Sequence, residues 1–533
     1  MRLFLYTCCI VIVIGLIPAF VQDTIRAEAS DPAPDAALVS RATEPPPSRV
    51  GRLSLVTGDV DLRGAGETSW AGAALNQPVI TGQALRTGRG ARGEIEIGAD
   101  TIDLSNNTEV EITRLDGQII QLAVPRGRTG LRLRQPGDGE TVEIDFPQGA
   151  VWLFDRGRYD IDLGRDDQPV RVAVFEGAAR LVGNGAEARV ETGQMAVMTG
   201  SNPIAVNTEP ARSDDFVDWC RDRDYDETRL AALYYISPYV TGFAELDAAG
   251  LWKISQDYGP VWFPTEPEWS PYRFGHWSWM APWGWTWIDD QPWGFAPSHY
   301  GRWALIDKHW AWVPGSFVAH PLFAPAVVAF LGTPGIGLSS EDGATVAWFP
   351  LAPDEAYWPT YTRDVDYVRR LNTGNVRDVA TIALQADGEP PLELFHNDFA
   401  NRQLASVVPR SVFVSGRPVA QARVTLPEQR LQDAPVLMAS PQIAPPSAQP
   451  VARVATTAVK PPTTPVAVKA SRKGGVKVIR AASMKPRGRE QPIVIRAAHL
   501  HAPSYAGQAR VRQLIVLRVA RNPHGAVGKR ARR

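Results

Sequence analysis

From Val50 to Gly200 the chain alternates apolar and polar residues in runs of four to eight, the period of half-buried strands. ARGEIEIGADTIDL, TEVEITRL, TVEID and VRVAVFEGAARLV all read this way. Turn signals separate them at Thr57-Gly58-Asp59, Asp116-Gly117, Pro136-Gly137-Asp138-Gly139 and Gly183-Asn184-Gly185. No helical period intervenes, so the pattern predicts a mainly β chain that opens with an all-β sandwich, barrel or coil of strands. One amphipathic helix follows, in DDFVDWCRDRDYDETRLAALYYIS, where Phe216, Trp219 and Cys220 share a face. Asp214 and Asp215 near its start suit the helix dipole.

Beyond it the period stays at two but the apolar residue becomes tryptophan. Twelve of the 17 tryptophans lie between Trp252 and Trp312. A loop at Ala281-Pro282-Trp283 would set Trp277 opposite Trp287 and Trp279 opposite Trp285. A two-residue turn at Asp307-Lys308 would set Trp303 opposite Trp312 and Leu305 opposite Trp310. Three imperfect repeats open on Gly250-Leu-Trp252, Gly275-His-Trp277 and Gly301-Arg-Trp303, which predicts small stacked hairpins.

Area limits how many of these rings are free for a ligand. At roughly 200 Å² per indole, twelve carry about 2,400 Å², whereas soluble monomers expose contiguous apolar patches of only roughly 300–600 Å². Most must therefore be core or subunit interface. Trp283 and Trp293, each in a Pro-Trp-Gly turn, are the rings expected at the surface. With Trp285, Trp287, Asp289, Asp290 and Tyr300 they form the candidate ligand-binding set, since a carboxylate beside an aromatic wall suits a sugar.

The net charge of −1 conceals an asymmetry. From residue 401 onward 24 Lys/Arg face three acids, so the first 400 residues carry a net −22. An acidic folded body with a basic tail is expected. Residues 434–466 are rich in Pro, Ala, Val and Thr, and 467–533 carry most of the positive charge, so disorder is expected there. Leu3 to Val21 is apolar apart from Thr7, Gly15 and Pro18, which suits a signal-peptide core or an uncleaved anchor. Either places the rest of the chain outside the cytoplasm. Ala27-Glu28-Ala29 fits the small-x-small cleavage rule. Cys8 and Cys9 lie in the apolar run, leaving Cys220 without an intramolecular disulfide partner and expected to be buried and inert.

Val56-x-Gly58-x-Val60, Trp70 before Gly82-x-x-Leu85-Arg86-Thr87-Gly88, Ala91-Arg-Gly-Glu-Ile-Glu-Ile-Gly98, Val142-x-Ile144-Asp145, Tyr159-x-Ile161-Asp162 and Val172-x-Val174-x-Glu176-Gly177 resemble the FecR domain of bacterial envelope proteins. The resemblance covers about 150 residues and implies an extracytoplasmic, mainly β domain. In FecR such a domain relays an outer-membrane signal to a cytoplasmic sigma-factor regulator. Only Met1 and Arg2 precede the apolar run here, so a cytoplasmic part is not expected. Tyr258-Gly-Pro-Val-Trp262-Phe-Pro264, the hairpins, Val346-Ala-Trp348-Phe-Pro-Leu351 and Val412-Phe-Val-Ser-Gly-Arg417-Pro418 are similar to a Trp-rich domain that accompanies FecR domains, over about 210–425. That resemblance implies an envelope setting and no reaction.

The expected organisation is a signal peptide or anchor at 1–29, a linker at 30–49, a FecR-like β domain at 50–205 (sandwich or coiled strands), a helix at 210–236, a Trp-rich β domain at 237–425 and a Pro-rich basic tail at 426–533. No HExxH, GxSxG or Walker motif occurs. No catalytic residue, metal site or cofactor is therefore predicted. The acid pairs Asp160/Asp162 and Asp364/Asp366 read as strand-end and turn solvation. His276, His299 and His309 lack metal-ligand spacing and read as hydrogen-bonded structural residues. The sequence thus points to a non-catalytic envelope binding or scaffold protein. Its expected partner is a glycan, peptidoglycan or another envelope protein. The tail is read as a solvated extension or an attachment to anionic polymer or lipid, with nucleic acid the least favoured partner. The alternatives are an extracytoplasmic sensor in FecR-type signalling and a glycan-active hydrolase centred on Asp289/Asp290.

Overall fold

Strands from Gly51–Thr57 to Ala205–Pro210 build two nine-stranded sheets that share one apolar core. The chain is seen in a computed structural model that describes residues 46–444, except 135–138, 165–167, 201–202, 226–228, 334–336, 341–342, 383–398, 439–440 and 442. The leader, most of the linker and the tail beyond 444 lie outside the described residues, as does most of the Pro136–Gly139 turn.

The chain changes sheet after every one or two strands. Arg92–Ile97 and Asp100–Leu104 lie in the first sheet, Glu109–Leu115 and Ile119–Arg126 in the second, and Arg128–Leu133 returns to the first. Alternation explains this economy, because each strand needs to bury only one face. In Thr141–Phe146, Val142, Ile144 and Phe146 point inward while Thr141, Glu143 and Asp145 stay half-buried outside. The two-sheet sandwich is thus the form the strand pattern takes, and no closed barrel forms among the described strands.

The expected helix over 210–236 is shorter in the structure, running Asp215–Arg223. The Asp214 carboxylate caps it by accepting from the Phe216 and Val217 N–H groups, both at 3.1 Å. It ends at Asp224, whose carboxylate is claimed by Arg132, Arg134 and Arg158 of the sandwich. These ion pairs hold Asp224 in an extended conformation that closes the helix. Phe216 and Val217 are buried and Arg92 lies over the Phe216 and Trp219 rings, so the helix packs through the predicted face.

The Trp-rich part contains the three predicted hairpins. Gly250–Ser255 pairs with Gly259–Pro264, Gly275–Met280 with Gly284–Asp289, and Arg302–Ile306 with His309–Val313. Trp277 faces Trp287, Trp279 faces Trp285, Trp303 faces Trp312 and Leu305 faces Trp310. Asp307 and Lys308 have φ of 50° and 65°, as a type I′ turn requires. The three hairpins are not equivalent, however. The first and third join edge to edge through Trp262 and Trp312 into a four-stranded sheet, while the middle one stays a separate two-stranded ribbon. Trp252, Trp262, Trp312 and Trp303 consequently line up as one row across four strands.

The expected boundary at 425 is corrected by the fold. Glu428–Asp433 is a helix, Val436–Leu437 pairs with Val328–Leu331, and Ile443 is buried with its carbonyl accepting from Trp285 Nε1 at 2.9 Å. Leu431, Val436 and Met438 supply the apolar contacts that hold this segment to the body.

The two β modules meet at a buried polar seam. Arg52 in the first strand ion-pairs with Glu96 at 2.6 Å and with Glu245, and donates to Asn76 Oδ1 and the Pro292 carbonyl, both at 2.8 Å. Asn76 in turn donates to the carbonyls of Asp289 (2.9 Å) and Gln291 (2.6 Å). Thr241 accepts from the Gly98 N–H at 2.9 Å and donates to the Val50 carbonyl at 2.8 Å.

Candidate functional site: the tryptophan core and the adjoining cleft

Each Gly-x-Trp opening has one physical cause. A methyl group on Gly250 would overlap the Trp262 ring, one on Gly275 the Trp287 ring, and one on Gly301 the Trp312 indole nitrogen. In every repeat the indole on the return strand leans across the backbone of the opening glycine, an approach only hydrogen permits. Several of the indole N–H groups then find acceptors, although those of Trp269, Trp277 and Trp283 are buried without one. Trp262 donates to Leu246 O, Trp312 to Tyr300 O, Trp303 to Pro297 O and Trp348 to Tyr272 O, all at 2.8–3.1 Å.

Ten of the twelve tryptophans between 252 and 312 are buried and the other two, Trp279 and Trp310, are half-buried. The expectation that Trp283 and Trp293 lie at the surface is overturned. Trp283 is 2% exposed and its ring sits 4.7 Å from Phe323, while Trp293 is 5% exposed and lies 4.9 Å from Trp262 and 4.7 Å from Trp269. Both Pro-Trp-Gly turns fold their indole inward because neighbouring aromatics offer a larger apolar contact than water does. Trp285 and Trp287 are also core. The seven candidate residues therefore form no stacking platform.

Asp289 is a structural acceptor. It is buried and takes hydrogen bonds from Trp287 Nε1 (2.9 Å) and the Gln291 N–H (3.0 Å), while its neighbour Asp290 is exposed on the opposite side. Burial pushes its carboxyl up to about 7, against the pull of those two donors. The folded state then holds a proton that the unfolded chain, with a value near ~3.9, has released. Stability linked to Asp289 is present at low pH and is lost as pH rises from about 4 through 7. Comparing urea midpoints at pH 5 and pH 8, the expected advantage at pH 5 shrinks in Asp289→Asn. An identical pH difference in both proteins would contradict this.

The other acid pairs have local partners, as do His299 and His309. Asp160 binds Arg128 at 2.8 Å, and Asp364 caps the helix Val365–Asn372 by accepting from the Asp366 and Tyr367 N–H groups. The ring of buried His299 bonds the Ala324 carbonyl at 2.7 Å, and burial pushes it down to about 3. His276 is likewise lowered by burial, to about 4, and His309 is exposed. Cys220 is half-buried, with its thiol pushed far up by burial and by the neighbouring Asp103, which disfavours the thiolate. Among the described residues no group of three metal-ligating side chains forms.

Of the seven candidates, Tyr300 lines a cleft. This cleft, of about 50 Å³, lies where Arg302, Trp312, the loop from Pro314 to Phe317 and the helix bearing Arg370 converge. Arg302 is 2% exposed and donates to Glu355 O at 2.9 Å, Gly301 O at 2.8 Å and Asn372 Oδ1 at 2.7 Å. No signal in the sequence marks Arg302, Phe317 or Arg370 as a set, because they come from segments up to 68 positions apart that only the fold unites.

A family model described as a family of unknown function, DUF6600, matches residues 243–355, which spans the three hairpins. No curated protein matches the chain. Two crystal structures of a "putative anti-sigma factor" from Parabacteroides distasonis are similar at 12% identity and a TM-score of 0.23. The match covers 26% of this chain and 64% of that protein in one structure and 63% in the other. So distant a likeness carries no argument about this chain's activity.

Proposed function

We propose that the chain is a non-catalytic cell-envelope protein that binds or scaffolds a partner, with a FecR-like domain at 50–205 as its first module. The observation that carries this reading is the buried seam of Arg52, Asn76, Glu96 and Glu245, which ties that module to the aromatic one. Ion pairs and amide hydrogen bonds largely withdrawn from water favour one fixed arrangement of the two modules. The tryptophans of the hairpins are used inside that body, so a ligand meets polar loops and the cleft rather than an indole wall. The partner is a cell-wall glycan, peptidoglycan or another envelope protein. Export follows from the apolar segment at 3–21, and the basic tail adds affinity for anionic polymer or lipid.

Co-sedimentation of the full-length chain with isolated cell-wall material tests this reading. Retention that weakens with salt is expected, and retention no greater than that of a charge-matched control protein would count against it. A sensor role is the second reading, favoured by the FecR-like motifs from Val56 to Gly177. Unchanged transcription in a strain lacking the gene would dispose of it. A hydrolase centred on Asp289 is not retained, because that carboxylate is sealed under Trp287 and Gln291.

A further inference from the structure

The cleft beside the tryptophan row is lined by two arginines and, among the described residues, by no aspartate or glutamate. Such a spot is distinctive in a chain whose first 400 residues carry a net charge of −22. Arg302 forms the buried end. Its three nitrogens each hold a neutral oxygen, and no carboxylate pairs with it among the described residues. Glu355 hydrogen-bonds Arg302 through its carbonyl, while its carboxylate accepts from the Ala352 and Ala400 N–H groups, both at 2.8 Å, and acts on the guanidinium only through its charge. A guanidinium has five N–H donors, so two remain beyond these three bonds. Its orientation is fixed by Asn372, which donates to the carbonyls of Tyr357 at 2.9 Å and Val368 at 2.8 Å. Burial lowers Arg302 to about 10, outweighing the opposing pull of Tyr272, Glu355 and Tyr357 nearby.

The size and rim narrow the ligand. At roughly 10–15 Å³ per water, about 50 Å³ holds a small polar head group and not a whole sugar ring. Any ring must lie at the mouth. There Phe317 is 64% exposed, Tyr235 is half-buried and Arg370 is exposed. An exposed aromatic beside two cations suits a saccharide whose apolar face covers the ring while its acid group turns inward.

We infer that this cleft binds a carboxylate-bearing saccharide, with the carboxylate directed at Arg302 and Arg370 and the sugar ring laid on Phe317 and Tyr235. The inference rests on the glycan-binding reading above and deepens it. Titration calorimetry of the full-length chain with D-glucuronate, D-glucose and acetate tests it. Saturable glucuronate binding is expected, with glucose and acetate each at least ~10-fold weaker. Arg370→Ala and Phe317→Ala are each expected to weaken glucuronate by about 5- to 10-fold with an unchanged melting temperature. Absent glucuronate binding, glucose or acetate binding as tightly, or no effect of either substitution would overturn the inference. If cell-wall retention persists alongside any of those results, the cleft assignment fails and the envelope reading stands. Loss of both removes both.

Discussion

Trp277→Ala is expected to cost about 3–5 kcal/mol of stability, the range for deleting a large ring from a packed core. Trp277 is fully buried and its ring lies 5.4 Å from Phe330, Trp348 and Phe413 and 5.5 Å from Trp287. Those rings come from three separate strands and a helix, so the cavity left behind has no single flexible neighbour to fill it. Trp152→Ala is the matched control, because that half-buried ring lies beside the polar side chains of Arg180, 5.7 Å away, and Glu143 rather than in an aromatic core. It should cost under about 1 kcal/mol. Denaturant midpoints of the three proteins measure both. A loss below about 1 kcal/mol for Trp277→Ala would mean the indoles are not the core.

The second large effect is expected at the seam. Arg52→Ala leaves Glu96 buried without its cation and Asn76 Oδ1 without its donor. Removing one member of a buried pair costs about 3–5 kcal/mol, more than the pair itself contributes. Adding Glu96→Gln should recover part of that loss, since the uncompensated charge is then gone. The unfolding free energies of the single and double variants form the check. A double variant no better than Arg52→Ala would show that the carboxylate was not the burden. Because Arg52 also holds Glu245 and Pro292, the loss should appear in the Trp-rich module as well as in the sandwich.

The candidate site was only partly legible beforehand. Asp289 is a candidate in the sequence because it ends an aromatic strand, and that same position is what buries it. Trp287 on its own strand donates to it, and residue 294 is glycine because a methyl there would overlap the Asp289 carboxylate. Arg302 was visible only as the middle letter of a Gly-x-Trp repeat. Its place in the cleft depends on Asn372 and Arg370, which lie on a helix some 70 positions further along.

Sequence alone determined the local geometry. Strand period, the register of Trp277 with Trp287 and of Trp303 with Trp312, and the Asp307-Lys308 turn all follow from side-chain alternation and loop length. Tertiary structure decided what those patterns face. It joined the first and third hairpins through Trp262 and Trp312, turned Trp283 and Trp293 inward, and ended the helix at Arg223. It also carried the body past 425 to Ile443. Each of these outcomes is a contact between residues distant in the chain, where burial against a particular neighbour outweighs local preference. No reading of period or turn chemistry names that neighbour.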